Sequence, residues 1–531
     1  MVTNSLEVTF EEKKIDAIFA ALDQCQLPGA AVGIAIGGKP VYRKGFGLAT
    51  MELGVALSPT IRMRIGSATK HFACLAYLLL CEEGKCELDD PLEMYLPELD
   101  PETHEVTIRQ AMGHVSGLPD VCDIAMQMSG TGRHISTAEV LTLYRDIYDP
   151  VAEPGTVWRY NNGAYAMLSV ALERIADRPL EEILRERILE PVGMYDTLLR
   201  RWDTDFVPNS ATLHMSNLTG GFEKSYIGFA LAGEGGMVST IDDMLRWLAH
   251  MDAPVVGSVS TWRSMKSAQR LINGTSTGYG LGLMTDRYRG VETIYHSGGV
   301  MGGNSQMLKV PAAGVDVVLM LNRHDVLGVK LVNQILDSCL PGLAPIKEIS
   351  GRPLVKGVFR SPRTSRVIQL FAKEEQQIAS IDGSDLPMES DEEGVLRPSP
   401  WASLYKVELT PTGGLETPNG LRLSDFGNVD ELVVVPPPSR TDPEAVLGKY
   451  ISKWTGTEAS ILRDEGGAAQ LMTVGRFGSA TFRLECLGEG IWRAKSMGAL
   501  PLGGILTFDE GGRVFRYRTG RAGPLSFCRE S

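Results

Sequence analysis

The stretch Ser67-Ala-Thr-Lys-His-Phe-Ala-Cys-Leu-Ala-Tyr-Leu-Leu-Leu-Cys-Glu-Glu83 is apolar almost all round when wound at helical spacing. A helix of that composition belongs in the middle of a domain rather than on its surface. Its first residues are chemically mismatched to such a setting. Positions i and i+3 share a helix face, so Lys70 can reach the Ser67 hydroxyl. A serine oxygen is a poor nucleophile until a base takes its proton. An amine held in an apolar environment gives up its own proton more readily and can serve as that base. Ser67 also falls at the helix amino terminus, where backbone N–H groups favour a developing anion.

The tetrapeptide alone is a weak signal, since Ser-x-x-Lys should occur about once by chance in a chain this long. It recurs at Ser403-Leu-Tyr-Lys406, in an alternating, strand-like run where i and i+3 point to opposite faces. Two further elements single out the first copy. Trp158-Arg-Tyr-Asn-Asn162 supplies Tyr160 and Asn162 after the turn Glu153-Pro-Gly155. A phenol beside a cationic amine can move a proton to a leaving group, and an asparagine amide can orient a carbonyl or hold the lysine. His296-Ser-Gly-Gly299 then closes a strand signal. Gly298 and Gly299 would let a substrate lie against the strand edge, and the Gly299 N–H could join that of Ser67 as an oxyanion hole. Taken singly, Tyr160 reads as a packed core tyrosine and His296 as a turn histidine.

Around this constellation the chain divides. At 531 residues it is too long for one core. Leu340-Pro-Gly-Leu-Ala-Pro345 and Val435-Pro-Pro-Pro-Ser-Arg-Thr-Asp-Pro443 cannot continue a helix or a ladder, so the expected domains are 1–340, 346–435 and 443–531. The first mixes helical periodicity (Glu11 to Gln24, Val329 to Cys339) with strand signals at Ala30 to Ile36, Pro40 to Phe46, Val291 to His296, Ser305 to Val310 and Val315 to Leu321. That order predicts an α+β domain with a central helix and an antiparallel sheet. Beyond 345, short alternating runs and Gly-rich turns take over, as in Arg366 to Phe371, Gly420 to Leu423 and Thr473 to Phe482. Gly357-Val-Phe-Arg-Ser361 echoes Gly448-Lys-Tyr-Ile-Ser452, which predicts two similar antiparallel β-barrels.

Composition narrows the function. An apolar share of 43% and a charged share of 22% are those of an ordinary globular protein. A net charge of -13 argues against nucleic acid and against an anionic membrane surface as partners. No apolar run is long enough to span a membrane, and the first residues do not read as a secretory signal. Eight scattered cysteines without a CxxC pair read as free thiols, and His71 and His114 lack metal-ligand spacing. The expectation is a cytoplasmic chain using neither metal nor cofactor.

Ser-x-x-Lys, then Tyr-x-Asn, then a Lys/His-x-Gly triad resembles the signature of the serine β-lactamases and penicillin-binding proteins, in their class C-like branch. Gly113-His-Val-Ser-Gly-Leu-Pro119, Pro191-Val-Gly-Met-Tyr-Asp-Thr197, Gly235-Gly-Met-Val-Ser239 and Tyr279-Gly-Leu-Gly-Leu283 also resemble that branch. The resemblance implies a β-lactamase/transpeptidase-like catalytic domain followed by two lipocalin-like β-barrels. His296 stands where a β-lactamase has a lysine, a departure that matches the D-stereospecific aminopeptidases and some esterases. The resemblance therefore implies an acyl-enzyme on Ser67, proton transfer by Lys70 and Tyr160, and substrate positioning by His296, Asn162, Gly298 and Gly299. The implied activity is release of amino-terminal D-residues such as D-Ala from peptides, amides or esters. The rivals are a carboxylesterase or amidase indifferent to a free amine, and a penicillin-binding sensor without turnover; β-lactams are possible inhibitors. A homodimer is expected from the resemblance alone. It further implies that a third-domain loop, here Ala494-Lys-Ser-Met-Gly-Ala-Leu-Pro501 with Gly498, gates the site. That loop lacks the acid such enzymes offer to the substrate amine, and Glu489 is the nearest carboxylate in sequence.

Overall fold

Nearly continuous apolar runs, buried on both faces, build the middle of the central sheet. The computed structural model describes residues 6–530 apart from 104, 131–132, 148, 150–151, 218, 346–353, 400–405, 415–417, 439–442 and 498–501. Six antiparallel strands, β1 (Ala30–Ile36), β2 (Lys39–Phe46), β3 (Met284–Tyr288), β4 (Val291–Val300), β5 (Gly303–Val310) and β6 (Val315–Leu321), lie in the order β3-β4-β5-β6-β1-β2. Ala30, Val32 and Ile34 join Val315, Val317, Leu319 and Leu321 on one face, beneath α1 (Glu12–Phe19). The residues between them, Ala31, Ala35, Val318 and Met320, face the opposite way. There they meet the helical layer, which includes α2 (Lys70–Glu82), α3 (Val121–Ser129), α4 (Asn162–Ala176) and α5 (Ile241–His250). A last helix, α6 (Gly328–Cys339), returns to the α1 side.

The expected helix from Ser67 begins differently. Gly66–Thr69 forms a tighter 3-10 turn, and the α-helix proper starts at Lys70. The cause is Gly66, whose φ of 53° swings the chain from a short strand into the helix. A Cβ there would stand 2.9 Å from the Gly299 amide nitrogen, so the turn is pressed against β4. Strand β4 can receive it because β3 pairs only with Val291 to Tyr295 and leaves the outer edge of residues 296–300 without a strand neighbour. Gly298 makes the tightest contact: a Cβ there would fall 1.8 Å from the Ile65 carbonyl oxygen.

Beyond this α+β unit the chain forms two closed, eight-stranded, up-and-down antiparallel barrels. The echoed pentapeptides are their first strands, β7 (Gly357–Arg360) and β8 (Gly448–Ile451), and Phe359 and Tyr450 point inward at matching positions. Thr473 to Phe482, read as one run, is a hairpin turning between Gly475 and Gly478. Of the two expected connectors, Leu340 to Pro345 is described and forms a turn, while 439–442 of the second lie outside the described residues, as does Ser403 of the second Ser-x-x-Lys. The second barrel is not an appendage. Its apolar interior continues into the helical layer, and the Trp454 indole N–H donates to the Leu143 carbonyl at 2.7 Å. Among the described residues, no helix is long and apolar enough to cross a membrane.

Gly298→Ala is expected to cost about 1–3 kcal/mol, because an added carbon meets backbone rather than a movable side chain. Gly299→Ala, whose Cβ would meet nothing within 4 Å, is expected to stay within about 0.5 kcal/mol. Urea unfolding of the two variants checks the contrast.

Candidate active site

Burial and hydrogen bonding fix the Lys70 amine. Its side chain is fully buried, and Nζ donates to Ser67 Oγ at 3.2 Å, to Asn162 Oδ1 at 2.8 Å and to the Glu234 carbonyl at 2.5 Å. Three acceptors match the three protons of an ammonium group. Each comes from a different element. Ser67 sits one helical turn away, and Asn162 opens α4, whose cap is the Asn161 side chain accepting from the Ala164 N–H at 2.9 Å. Asp120 steadies the same corner by accepting from the N–H groups of Asn162 (3.1 Å) and Gly163 (3.0 Å). The Glu234 carbonyl belongs to a turn in which the Glu234 carboxylate accepts from the Ala232 N–H at 2.8 Å.

Tyr160 lies beside this centre, its ring centroid 4.8 Å from Lys70 Nζ. The ring packs on His114 at 4.3 Å, and His114 Nδ1 in turn accepts the Asn161 N–H at 3.1 Å. His114 is thus a core residue that braces the tyrosine and the cap. Its imidazole is kept well below the usual range, first by burial and then by the charge of Lys70.

His296 is close to the centre but does not face solvent. It is 1% exposed, with Nδ1 2.7 Å from the Ser297 carbonyl and Nε2 2.9 Å from the Tyr279 hydroxyl. A carbonyl only accepts, so Nδ1 carries the proton and Nε2 accepts from Tyr279. Burial, and after it the Lys70 charge, push its pKa down to about 3. Both ring nitrogens of the expected substrate-positioning imidazole are thus engaged inside the protein.

Ser67, Asn162 and Gly299 line a cavity of about 430 Å³ together with Met126, Phe229, Met301 and Arg521. Its walls are mostly apolar side chains with a few polar groups, the usual make-up of a small-molecule site. Two contributors escaped sequence reasoning. Glu234 directly precedes Gly235-Gly-Met-Val-Ser239, so adjacency to that stretch was its signal. Arg521 carries no local signal, because it arrives from the second barrel through the connection between β9 (Val514–Arg518) and β10 (Leu525–Arg529).

The gating segment expected at 494–501 is described only over 494–497. Ala494, Lys495, Ser496 and Leu502 line a crevice of about 590 Å³ that shares Met126 and Arg521 with the Ser67 cavity, while Gly498 lies outside the described residues. Glu489 is exposed in a turn at a strand end. The second barrel does reach the Ser67 cavity, but through Arg521.

The fold and site coincide with a match to the Beta-lactamase family model over residues 15–335, and the chain belongs to that family. It is 28% identical over 302 residues to the D-aminopeptidase of Brucella anthropi, a match covering 56% of each chain. It is 27% identical over 299 residues to the D-aminopeptidase of Gluconobacter oxydans, again 56% of each. The matched region thus spans little more than half the length of these curated relatives. The structure of the D-amino acid amidase from Ochrobactrum anthropi SV3 complexed with D-phenylalanine superposes with a TM-score of 0.54 at 23% identity, over 62% of this chain and 98% of that one. The octameric penicillin-binding protein homologue from Pyrococcus abyssi gives a TM-score of 0.59 at 21% identity, over 80% of this chain and all of its own.

A neutral, buried His296 has a measurable signature. Its imidazole resonance, identified as the one lost in His296→Asn, is expected not to titrate between about pH 5 and 8. The ordinary histidine value is 6.5, so the unfolded chain takes up this proton before the folded one. Through His296, folded stability is therefore full above that value and falls as pH drops below it.

Proposed function

We propose that the chain is a serine hydrolase releasing amino-terminal D-residues, D-Ala among them, from short peptides, amides or esters through an acyl-enzyme on Ser67. The observation that carries this reading is the Lys70 amine, 3.2 Å from the Ser67 hydroxyl at the wall of a cavity. The likeness to two D-aminopeptidases supports the choice of substrate.

Nζ accepts the Ser67 proton as Oγ bonds to the substrate carbonyl carbon. The oxyanion is held by the N–H groups of Ser67 and Gly299. Collapse breaks the C–N bond, and the departing amine takes a proton delivered from Lys70 through Tyr160. Water then attacks the ester, returning acid and free Ser67. Asn162 keeps Nζ aimed at Oγ. Gly298 lets β4 approach, and His296 acts as a positioning residue through Tyr279. Gly498 of the second barrel is proposed to border the substrate entrance. A homodimer in the cytoplasm remains part of this reading; the octameric state of the Pyrococcus abyssi homologue marks higher assembly as the alternative.

One observation favours a second reading, an esterase or amidase indifferent to a free amine. The carboxylate at the cavity wall, Glu234, is 5% exposed, and burial shifts it toward its neutral form, which suits an amine poorly.

Hydrolysis of D-alanine p-nitroanilide, its L-isomer and p-nitrophenyl acetate separates the readings. A D-aminopeptidase favours the first. Comparable rates on the ester alone point to an esterase, and a burst without turnover points to an acylated sensor. Ser67→Ala is expected to lower turnover by a factor of order 10⁶, and retention of more than roughly a tenth would sink the assignment.

A further inference from the structure

Helix α2 ends on a pair of thiols. Its last turn and exit read Cys81-Glu-Glu-Gly-Lys-Cys86. Gly84 takes a φ of 70°, the left-handed setting that commonly closes a helix. A Cβ at Gly84 would meet nothing within 4 Å, so the backbone angle, not crowding, calls for glycine there. Two hydrogen bonds complete the turn: the Lys85 N–H donates to the Leu80 carbonyl and the Gly84 N–H to the Cys81 carbonyl, each at 3.0 Å. The chain thereby doubles back, and Cys86 returns to the turn of helix that carries Cys81. Their sulfurs stand 3.4 Å apart.

The two thiols differ in setting. Cys81 is half-buried at the helix edge, whereas Cys86 is 6% exposed. The Cys86 thiol donates to Cys81 and holds the Cys81 thiol below its ordinary value; burial and Asp90 oppose this, and Arg109 adds to it. Cys86 is itself pushed up, first by that same hydrogen bond and then by burial. The accessible member of the pair is therefore the one that ionises, while the buried member keeps its proton until its neighbour has reacted. Thiolate character together with access is what makes a cysteine reactive. Among the described residues no second pair of the eight cysteines shares a hydrogen bond. Cys74, in the same helix, is engaged with the Tyr165 hydroxyl at 3.3 Å.

We propose that Cys81 and Cys86 form a redox-active dithiol that low-molecular-weight disulfides oxidise to an intramolecular bond, stapling the turn that closes α2. The Cys81 thiolate attacks one sulfur of the external disulfide, forming a mixed disulfide and releasing one thiol, which takes the Cys81 proton. Cys86 then gives up its proton, attacks the Cys81 sulfur and expels the second thiol. Two protein thiols and one external disulfide thus become one protein disulfide and two external thiols. The sulfurs close from 3.4 Å to about 2.0 Å. The new bond spans only the turn, so the resolving thiol already stands beside the mixed disulfide. The site is independent of the chemistry at Ser67, which lies at the other end of the helix. The rival is a pair of small apolar side chains that merely pack together.

The test exposes the full chain, reduced and freed of reductant, to excess glutathione disulfide. Remaining thiols are alkylated and the chain is cut with trypsin, which cleaves after Lys70, Lys85 and Arg109. Peptide 71–85 is expected joined to peptide 86–109, and dithiothreitol should separate them. Cys74→Ser should keep the link and Cys81→Ser should abolish it. In Cys86→Ser, Cys81 should retain glutathione, because the resolving thiol is gone. Wild type with the two peptides unlinked, with glutathione held on Cys81, or with a link that survives in Cys81→Ser overturns the dithiol; the wild-type map needs no variant to fold. The linked form is also expected to melt a few degrees above the reduced one, reversibly with dithiothreitol, and Cys86→Ser treated alike should show no such rise. A linked form that melts no higher overturns the staple.

Discussion

A single buried amine organises the catalytic unit. Lys70 brings a potential charge into a helix otherwise made of Phe72, Ala73, Leu75, Leu78 and their neighbours. A buried ammonium is tolerated only where its protons find acceptors. Those acceptors come from Ser67, from the start of α4 and from the Glu234 turn, so meeting the needs of one group draws three elements to one point. Removing any of the acceptors would leave a buried donor unmet, which explains why the Asn161 cap, the Asp120 brace and the Ala232–Glu234 turn are each hydrogen-bonded in their own right. The geometry suited to taking a proton from serine is the same geometry that makes the burial of lysine affordable.

Electrostatics then differentiate the groups around this amine. His71, His114 and His296 are all pushed toward the neutral form by burial, to which the Lys70 charge adds at His114 and His296. They contribute packing and directed hydrogen bonds rather than charge. His71 stacks on Trp247 with 5.4 Å between ring centroids, and His296 fixes the Tyr279 hydroxyl. The catalytic unit thus surrounds its lysine with neutral imidazoles and aromatic rings. The cation at the cavity wall is supplied from outside, by the second barrel.

The two barrels share an architecture and differ in how they are joined. The first has an apolar core of its own and touches the catalytic unit through Asn273, which donates to the Phe426 carbonyl, and Asn428, which donates to the Thr156 carbonyl. The second shares its apolar interior with the helical layer and fastens its last hairpin to α3. Arg493 links the barrels by donating to Asp385 at 2.6 Å. Contacts therefore run from the helical layer through the second barrel to the first.

Much of this was legible in the sequence, for physical reasons tied to distance along the chain. Short apolar runs marked β1 and β6, because both faces of these central strands are covered, by α1 on one side and the helical layer on the other. The all-apolar run after Ser67 marked the central helix, because only a buried helix needs no polar face. Ser67 and Lys70 could be paired since i,i+3 geometry is local, and the barrel echo was visible because like strands repeat like residues. Other features depend on contacts between distant segments. The 3-10 start at Gly66 follows from the close approach of β4, more than 200 residues downstream. Whether His296 faces substrate or protein is set by Tyr279 and the surrounding burial, which no spacing encodes. Arg521 reaches the Ser67 cavity only because Asp123 and Asp149 capture a hairpin from the far end of the chain. Local chemistry and periodicity belong to the sequence. The dielectric around each ionisable group, and the partner that crosses from another domain, are decided only by packing.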